Sequence, residues 1–289
     1  MASRTHIVEI DASIEPSVCA FAASAIGRGM SATDFAEALH PPWTRMSPSG
    51  YALIDSDRVV GAILTISAQR TIRGRCRNVC NFSSWAVDPQ YRSYSVGLLS
   101  RALSVPGAIH TNFTASDAVV KVLLTLGFHA ISDRERVLVP AILPLRRSAF
   151  ETTVDADLIE VQLRAKGAAD VARLVSDHRR TRAKWVSATD GARHVTVAFH
   201  LFRVARVRFA HLLYCSNPDA WPAALGAIRR AVRRAWGHHL IAWSEYLLPH
   251  RGPSVALRRP RPILYRGDDV GPEDLDGLYS ELTVLPILK

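Results

Sequence analysis

WAVDPQYRSYSVGLL, residues 85–99, is the most informative segment of the chain. It runs from an apolar, strand-like stretch through a short polar turn directly into an amphipathic helix. Such a junction presents unpaired backbone N–H groups and the positive end of the helix dipole, and both attract a phosphate. Ser93, Ser95 and Gly97 are small enough to let a diphosphate approach the backbone, and Arg92 adds positive charge. The sequence therefore predicts a diphosphate site at the start of this helix.

The residues around this junction follow an α/β pattern. Apolar periodicity, caps and turn residues predict the elements of the first half. They are a strand at 4–10, two short helices over 15–39, a hairpin of 51–54 with 59–67, a strand at 78–87, a helix from 95, a strand at 108–114, a helix that ends at Gly127, and strands at 128–131 and 136–139.

The second half has a similar but less regular pattern. The predicted elements are a helix at 168–182, two strands within 193–215, a helix that ends at Gly237, strands at 239–246 and 263–265, a basic proline-rich loop at 249–262, and a last helix at 275–282. Both halves contain a strand pair, a helix and a further strand, which is compatible with a diverged duplication. We therefore predict two domains, residues 1–143 and 144–289.

The junction resembles the pyrophosphate-binding motif of the GCN5-related N-acetyltransferase (GNAT) superfamily. In that family a strand ends in V-x-P-x-Y/W-R, and R/Q-x-x-G-x-G/A follows. This chain reads Val87-Asp88-Pro89-Gln90-Tyr91-Arg92 and then Arg92-x-x-Ser95-x-Gly97, with serine where the first glycine is usual. Thr111-Asn112 and Leu126-Gly127-Phe128 follow in the family's order. The resemblance covers residues 4–140.

The resemblance implies the acyl-CoA N-acyltransferase fold. That is an α/β (α+β) class, with a mixed central sheet flanked by helices. Residues 1–143 would form the acyl-CoA-binding domain. Residues 144–289 would form a second, degenerate GNAT-like unit on the acceptor side, as in a tandem, two-domain member.

The resemblance also implies which residues hold acyl-CoA. The backbone of Ala86 and Val87 would pair with the pantetheine arm, and the N–H groups of 92–97 would bind the diphosphate. Asn112 would touch the pantetheine or an ordered water, unless it is only a polar residue at a strand end. The implied cofactor-binding residues are Ala86, Val87, Arg92, Ser93, Tyr94, Ser95, Val96, Gly97 and Asn112.

Two positions that are usually catalytic in the family carry other residues here. The strand before the motif, 78–85, has no Glu or Asp, and Leu123 stands where a Tyr often protonates the leaving thiolate. Ser84 and Tyr94 are the remaining candidates. Ser84 could orient a water or the acceptor, and Tyr94 could protonate the thiolate. An ordinary structural role is the commoner one for either residue, and catalysis by positioning alone stays open.

The charge of the chain suits an anionic partner. The formal net charge is +10, and all but four of the 36 basic residues are arginines. Such a surface attracts CoA phosphates, a nucleotide-linked ligand, tRNA or an anionic lipid. A GC-rich genome of bacterial type, which encodes arginine in place of lysine, would produce the same composition without any functional cause.

The cysteines and the apolar runs disfavour disulfide-bonded, metal-binding and membrane-spanning proteins. Cys19, Cys76, Cys80 and Cys215 lack paired metal-ligand spacing, so we expect free thiols, a reducing cytoplasmic compartment and no metal. The longest apolar runs are too short to span a bilayer.

Three functions are compatible with these residues. The first is transfer of an acyl group, acetyl by preference, from acetyl-CoA as co-substrate to the amine of a small metabolite or sugar. The second is a non-catalytic acyl-CoA-binding or regulatory module, which the missing Glu and Tyr favour. The third is an aminoacyl-tRNA-dependent transferase. The basic charge favours the third function, and the lack of a lysine-rich helix disfavours it.

Overall fold

The computed structural model describes residues 5–27, 29–43, 48–131, 134–138, 148–238, 240–248, 254–258 and 261–287. These residues divide into two compact units. The first comprises the described residues within 5–130, 263–270 and 279–287, and the second comprises those within 131–262 and 271–278. Each unit is built on a mixed sheet of seven strands.

The first sheet has the strand order β1-β2-β3-β4-β5-β14-β6. Neighbouring strands are antiparallel wherever their register is defined, except that β4 and β5 are parallel. The elements of this unit are β1 (His6–Glu9), α1 (Glu15–Ile26), α2 (Ala32–Leu39), β2 (Gly50–Asp55), β3 (Arg58–Ile72), β4 (Arg75–Val87), α3 (Ser95–Ala102), β5 (Ile109–Asn112), α4 (Asp117–Thr125), β6 (His129–Ile131), β14 (Ile263–Arg266) and α8 (Glu281–Val284).

Helices cover both faces of the first sheet. Leu98 and Leu99 of α3 and Leu123 of α4 are buried against one face. Val18 of α1 and Phe35 of α2 are buried against the other. The sheet is therefore covered on both sides, which is why residues 59–66 of β3 read as a nearly continuous apolar run.

The second sheet has the order β13-β7-β12-β11-β10-β9-β8. Its elements are β7 (Arg134–Leu138), β8 (Glu151–Thr153), α5 (Ala156–Ala165), α6 (Ala169–His178), β9 (Lys184–Thr189), β10 (His194–Val204), β11 (Val207–Cys215), α7 (Trp221–Trp236), β12 (Leu240–Ser244) and β13 (Ser254–Arg258). Trp221 and Ile228 of α7 pack with Trp243 of β12 in the core of this unit.

The two units repeat one plan. In each, a strand, two helices, three antiparallel strands, a helix and a parallel strand follow one another. Even a local irregularity recurs. The pairing of β3 with β4 skips Ser83, and the pairing of β10 with β11 skips Leu213, so each lies two residues beyond the last parallel pair of its strand. This agreement supports the duplication that the sequence pattern suggested.

Each sheet contains one strand from the other half of the sequence. β7 lies between β12 and β13, whereas β14 lies between β5 and β6. The units in the structure therefore differ from the continuous domains 1–143 and 144–289 expected from the sequence. Periodicity shows that a strand exists but carries no information about its partners, so an exchanged strand is assigned to its sequence neighbours.

Local signals explain where several elements begin and end. Ser31 and Asp34 form a capping box that starts α2, with Oγ of Ser31 accepting from the N–H of Asp34 at 3.2 Å. Ser116 caps α4 by accepting from the N–H of Val119. Gly237 ends α7 with φ of 65°, a conformation that glycine adopts without strain.

Several predicted elements of the second half were wrong. The segment 254–258, expected as a loop, is the strand β13, and α5 and β9 were missed. The helix expected at 275–282 is limited to Glu281–Val284. β13 and α8 are short, so tertiary contacts rather than local propensity decide their structure. The helix α5 has a local signal, the Asp155 cap, which the sequence prediction overlooked.

No described helix is both long enough and apolar enough to cross a membrane.

Candidate functional site

The centre of the candidate site is the point where β4 and β5 part. These strands are paired in parallel as far as Asn81 and Thr111. Beyond that point the Asn112 side chain bridges them, because its Nδ2 donates to the carbonyl oxygen of Phe82 at 3.1 Å. Its Oδ1 accepts from the N–H of Thr114 at 3.1 Å. Asn112 thus has the role of a polar residue at a strand end, and its contact with pantetheine stays a prediction.

The rest of β4 has one free backbone edge. Residues 84–87 pair with β3 on one side. Within the part of the chain that the structure describes, no backbone group pairs with 83–87 on the side where β5 has departed. Ser83 forms a bulge, which increases the twist of the strand there. An extended ligand can therefore add to this edge as another strand would.

A cavity of about 110 Å³ lies at this edge. Its polar wall contains side chains from β4 and from the connection between β5 and α4: Ser83, Ser84, Asn112, Thr114 and Ser116. Its apolar wall is contributed by four separate parts of the first unit: Ile26, Met30, Trp85, Val119, Leu285 and Ile287. A mixed lining of this kind suits an acyl thioester, which has one polar carbonyl and an apolar tail.

The turn after β4 differs from the open loop expected from its sequence. Residues 89–94 form a 3₁₀ helix that continues directly into α3. Ser95, where the family usually has glycine, has φ of −58°, and its N–H donates to the carbonyl of Arg92. The amides of this turn are thus engaged in i→i−3 bonds, which have poor geometry and are often shared with a second acceptor.

The same turn is fixed to the β2–β3 hairpin. The Tyr91 hydroxyl donates to Oδ2 of Asp55 at 2.5 Å, and this bond raises the pKa of Tyr91. Arg58 lies 3.7 Å from the Asp88 carboxylate. These contacts hold the turn in place while the side chains of Arg92 and Ser93 remain exposed.

The structure separates the two predicted catalytic residues. Ser84 is buried and lines the cavity, whereas Tyr94 lies in the 3₁₀ helix with 42% of its surface exposed and is not part of the cavity wall. Ala86 and Val87 lie on the free edge of β4. Both catalytic roles stay predictions.

The remaining predicted cofactor-binding residues differ in exposure. Val96 is exposed, and Gly97 is half-buried. A side chain at position 97 would come within 3.1 Å of Ile7 Cδ1. A larger residue at position 97 would therefore require the end of the Ile7 side chain to shift by a few tenths of an ångström.

Two buried groups near the site are poor candidates for chemistry. Burial raises the pKa of the Cys80 thiol to about 12, so the thiol stays protonated and is a weak nucleophile. Burial lowers the pKa of His110 to about 4, and its ring packs 5.3 Å from that of Phe82. Among the described residues, no cluster of His, Cys, Asp or Glu can hold a metal ion.

Sequence reasoning missed one ionisable residue, Glu281. It is fully buried at the start of α8, and its Oε1 accepts from Thr114 Oγ1 at 2.9 Å and from the N–H of Phe113 at 3.3 Å. Burial raises its pKa to about 7. No sequence signal connects a carboxylate near the end of the chain with β4 and β5, because the connection depends on the tertiary fold.

The corresponding edge in the second unit is already paired. β11 and β12 are parallel as far as His211 and Ala242, and the bulge follows at Leu213. There, however, the N–H of Gly277 donates to the carbonyl of Leu213 at 2.9 Å. Leu275 and Leu278 in the same segment are buried. In the second unit, residues 275–278 thus occupy the position that corresponds to the free edge of β4 in the first unit.

Comparison with solved structures finds GNAT proteins. The GCN5-related N-acetyltransferase from Anabaena variabilis aligns with a TM-score of 0.59 at 10% identity, over 91% of this chain and 72% of that one. The one from Kribbella flavida aligns at 0.53 and 16% identity, over 92% and 72%. A tandem GNAT protein from the clavulanic acid biosynthesis pathway aligns at 0.50 and 11% identity, over 93% and 100%. No family model and no curated protein matches the sequence.

The chain therefore has the GNAT fold, in a tandem arrangement of two units, which confirms the resemblance and the fold class predicted from the sequence. Identities this low establish the fold, and the activity must be argued from the residues of this chain.

Proposed function

We propose that the first unit binds acyl-CoA along the free edge of β4 and transfers the acyl group to an amine. The pantetheine arm pairs with residues 83–87, the diphosphate lies at the turn of residues 92–97, and the thioester reaches the cavity. The second unit holds no second acyl-CoA.

One observation carries this proposal, namely the contrast between the two corresponding strand edges. β4 has an unpaired edge beside a cavity, whereas the corresponding edge of β11 accepts a hydrogen bond from Gly277. A strand edge without a partner is a liability unless a ligand uses it. Strand addition by an extended ligand satisfies such an edge, and side-chain pockets then give selectivity.

The finer description of the substrates belongs to the same proposal. Acetyl-CoA is the preferred donor, and the acceptor is the amine of a small metabolite or sugar. The net charge of +10 favours an acceptor with a phosphate or carboxylate, such as a nucleotide-linked amino sugar. The protein acts in the cytoplasm, where acyl-CoA is available.

Thermal unfolding and CoA release test the proposal together. Acetyl-CoA at 100 times its Kd is expected to stabilise the protein by about 2.7 kcal/mol, which raises Tm by several degrees. Thiol release is then measured with a panel of amino sugars, nucleotide-linked amino sugars and polyamines. Acetyl-, butyryl- and octanoyl-CoA are compared to find how long a chain the cavity accepts.

Each alternative function gives a different result in this assay. Acetyl-CoA that stabilises the protein but releases no thiol with any amine indicates a regulatory module. Steep salt-dependent binding of tRNA, without stabilisation by acetyl-CoA, indicates an aminoacyl-tRNA-dependent transferase. Absence of any stabilisation by the three acyl-CoAs contradicts the proposal.

A further inference from the structure

Glu281 has an environment that its structural contacts do not fully explain. Its backbone N–H donates to Asn81 Oδ1 at 3.2 Å, and its Oε1 accepts two hydrogen bonds. The other oxygen, Oε2, is buried and has no hydrogen-bond partner among the residues that the structure describes. A buried carboxylate oxygen without a donor is expensive, so such an atom calls for a functional explanation.

A single hydroxyl connects Glu281 with the cavity. Thr114 contributes to the cavity wall, and its Oγ1 donates to Glu281 Oε1 at 2.9 Å. A threonine hydroxyl has two lone pairs besides its proton, so Thr114 can accept a proton from a group in the cavity while giving its own to Glu281. The carboxylate is thereby one hydroxyl away from the cavity.

We propose that Glu281 accepts the proton of the acceptor amine through the Thr114 hydroxyl, and so supplies the base that β4 lacks. This inference rests on the proposed acyl transfer. It assigns the role of general base to Glu281 in the C-terminal segment. In the GNAT family an acidic residue on the strand before the motif often has this role, but residues 78–85 of this chain include no Glu or Asp.

The proton and electron pairs balance in this sequence. The acceptor ammonium gives one proton to Thr114 Oγ1, which passes its own proton to the Glu281 carboxylate. The neutral amine forms the C–N bond with the thioester carbonyl carbon, and the C–S bond breaks. The departing thiolate takes the second proton of the nitrogen and leaves as CoA thiol. The Glu281 proton returns to solvent after the products leave.

Among the groups named here around Glu281, Glu281 alone changes its protonation near neutral pH. Thr114, Phe113 and Asn81 do not ionise in that range, and neither does Cys80, whose pKa burial raises to about 12. His110, on β5, has its pKa lowered to about 4 by burial and is therefore neutral.

The second helix, α2, also packs against α8. Its ionisable side chains are Asp34 and Glu37, and His40 follows its last residue. Glu37 and His40 are exposed, and Asp34 accepts hydrogen bonds from Ser31. Charges on α2 are therefore solvated or satisfied locally, and they offer no substitute for Glu281.

The Glu281→Gln variant tests the proposal. Gln keeps the size of the side chain and an oxygen for Thr114 and Phe113, but it cannot accept a proton. We expect at least a 100-fold lower rate of CoA release above pH 8 with the best amine of the panel. The same loss is expected for the hydrolysis of acetyl-CoA, in which water replaces the amine. The affinity for acetyl-CoA should be unchanged. The wild-type rate should rise with pH and level off near pH 7, and this bend should be lost in the variant.

Thr114 provides the matched controls. Thr114→Ser keeps the hydroxyl and should keep both rate and pH profile, whereas Thr114→Val should lose both. Because the two residues act as one relay, the Thr114→Val/Glu281→Gln double variant should be no slower than Glu281→Gln alone. Glu37→Gln, an exposed change on α2, should leave the rate unchanged.

The outcomes separate this inference from the proposed function. A wild-type protein that does not bind acetyl-CoA contradicts the proposed function. A wild-type protein that binds acetyl-CoA but releases no CoA contradicts the acyl transfer of the proposed function and, with it, the role of Glu281. A Glu281→Gln variant with the wild-type rate and pH profile overturns the role of Glu281 alone. A purely structural role for Glu281 predicts that second result.

Discussion

Replacing Ser93 by glutamate is expected to weaken acetyl-CoA binding by about 100-fold, since a new negative charge would lie a few ångströms from the bound diphosphate. Ser93 is exposed in the 3₁₀ helix between β4 and α3. The change should therefore leave folding unaffected. Isothermal titration calorimetry measures the affinity, and thermal unfolding without ligand checks the fold.

Ser100→Glu is the matched control for this prediction. Ser100 is also exposed, and it lies in α3 seven residues further along the chain, near the C-terminal end of the helix. The charge is thus identical but roughly 10 Å more distant along the axis, where solvent and salt screen it. Equal losses of affinity in the two variants would mean a non-specific effect of charge. No loss in either variant would mean that the diphosphate does not bind at residues 92–97.

The second large effect concerns stability and pH. We expect the free energy of unfolding to fall by about 3 kcal/mol more in the wild type than in Glu281→Gln as the pH rises from 4.5 to above 7. The folded protein holds the Glu281 proton up to a pKa of about 7, whereas the unfolded chain releases it near 4.5. The folded state thus binds more protons across this window, and its stability falls as the pH rises.

Urea unfolding of both proteins at a series of pH values measures this difference. Other titrating groups are common to the two proteins and cancel in the comparison. The Glu281→Gln change adds an offset that does not depend on pH, because the new amide leaves one buried donor without a partner. A difference between the two proteins that stays constant from about pH 4 to about pH 8 would mean that Glu281 has an ordinary carboxyl pKa.

Much of the first unit can be predicted from its sequence, because its signals are local. Ser116 marks the start of α4, and the glycine-containing segment after α1 separates two helices with little ambiguity. The turn Asp55-Ser56-Asp57-Arg58 correctly indicates the β2–β3 hairpin. In each of these places, caps, turns and apolar periodicity favour the same structure.

The second half is harder for a physical reason. The β13 segment reads as a basic loop, and it becomes a strand because it pairs with β7, more than a hundred residues away in the sequence. The strand β14 was predicted at 263–265, but its partner β5, similarly distant in the sequence, was not. Pairing partners at such distances leave no mark on local periodicity, so the exchange of strands was not predictable.

The part of the candidate site that lies on β4 was predictable from the sequence, whereas the part contributed by the C-terminal segment was not. Ala86 and Val87 lie at the end of β4, where the motif begins, and their pairing with the pantetheine arm stays a prediction. Glu281 and Thr114 meet only through folding of the C-terminal segment. The bond from the Ser95 N–H to the Arg92 carbonyl was likewise not visible in the motif.

Hydrogen exchange with saturating acetyl-CoA tests most directly whether the free edge of β4 is the acyl-CoA site. We predict strong protection of amides in residues 83–97 and unchanged exchange in the corresponding segment of the second unit, residues 211–221. Protection of 211–221 instead, or unchanged exchange in 83–97 although the ligand is bound, would contradict the proposal.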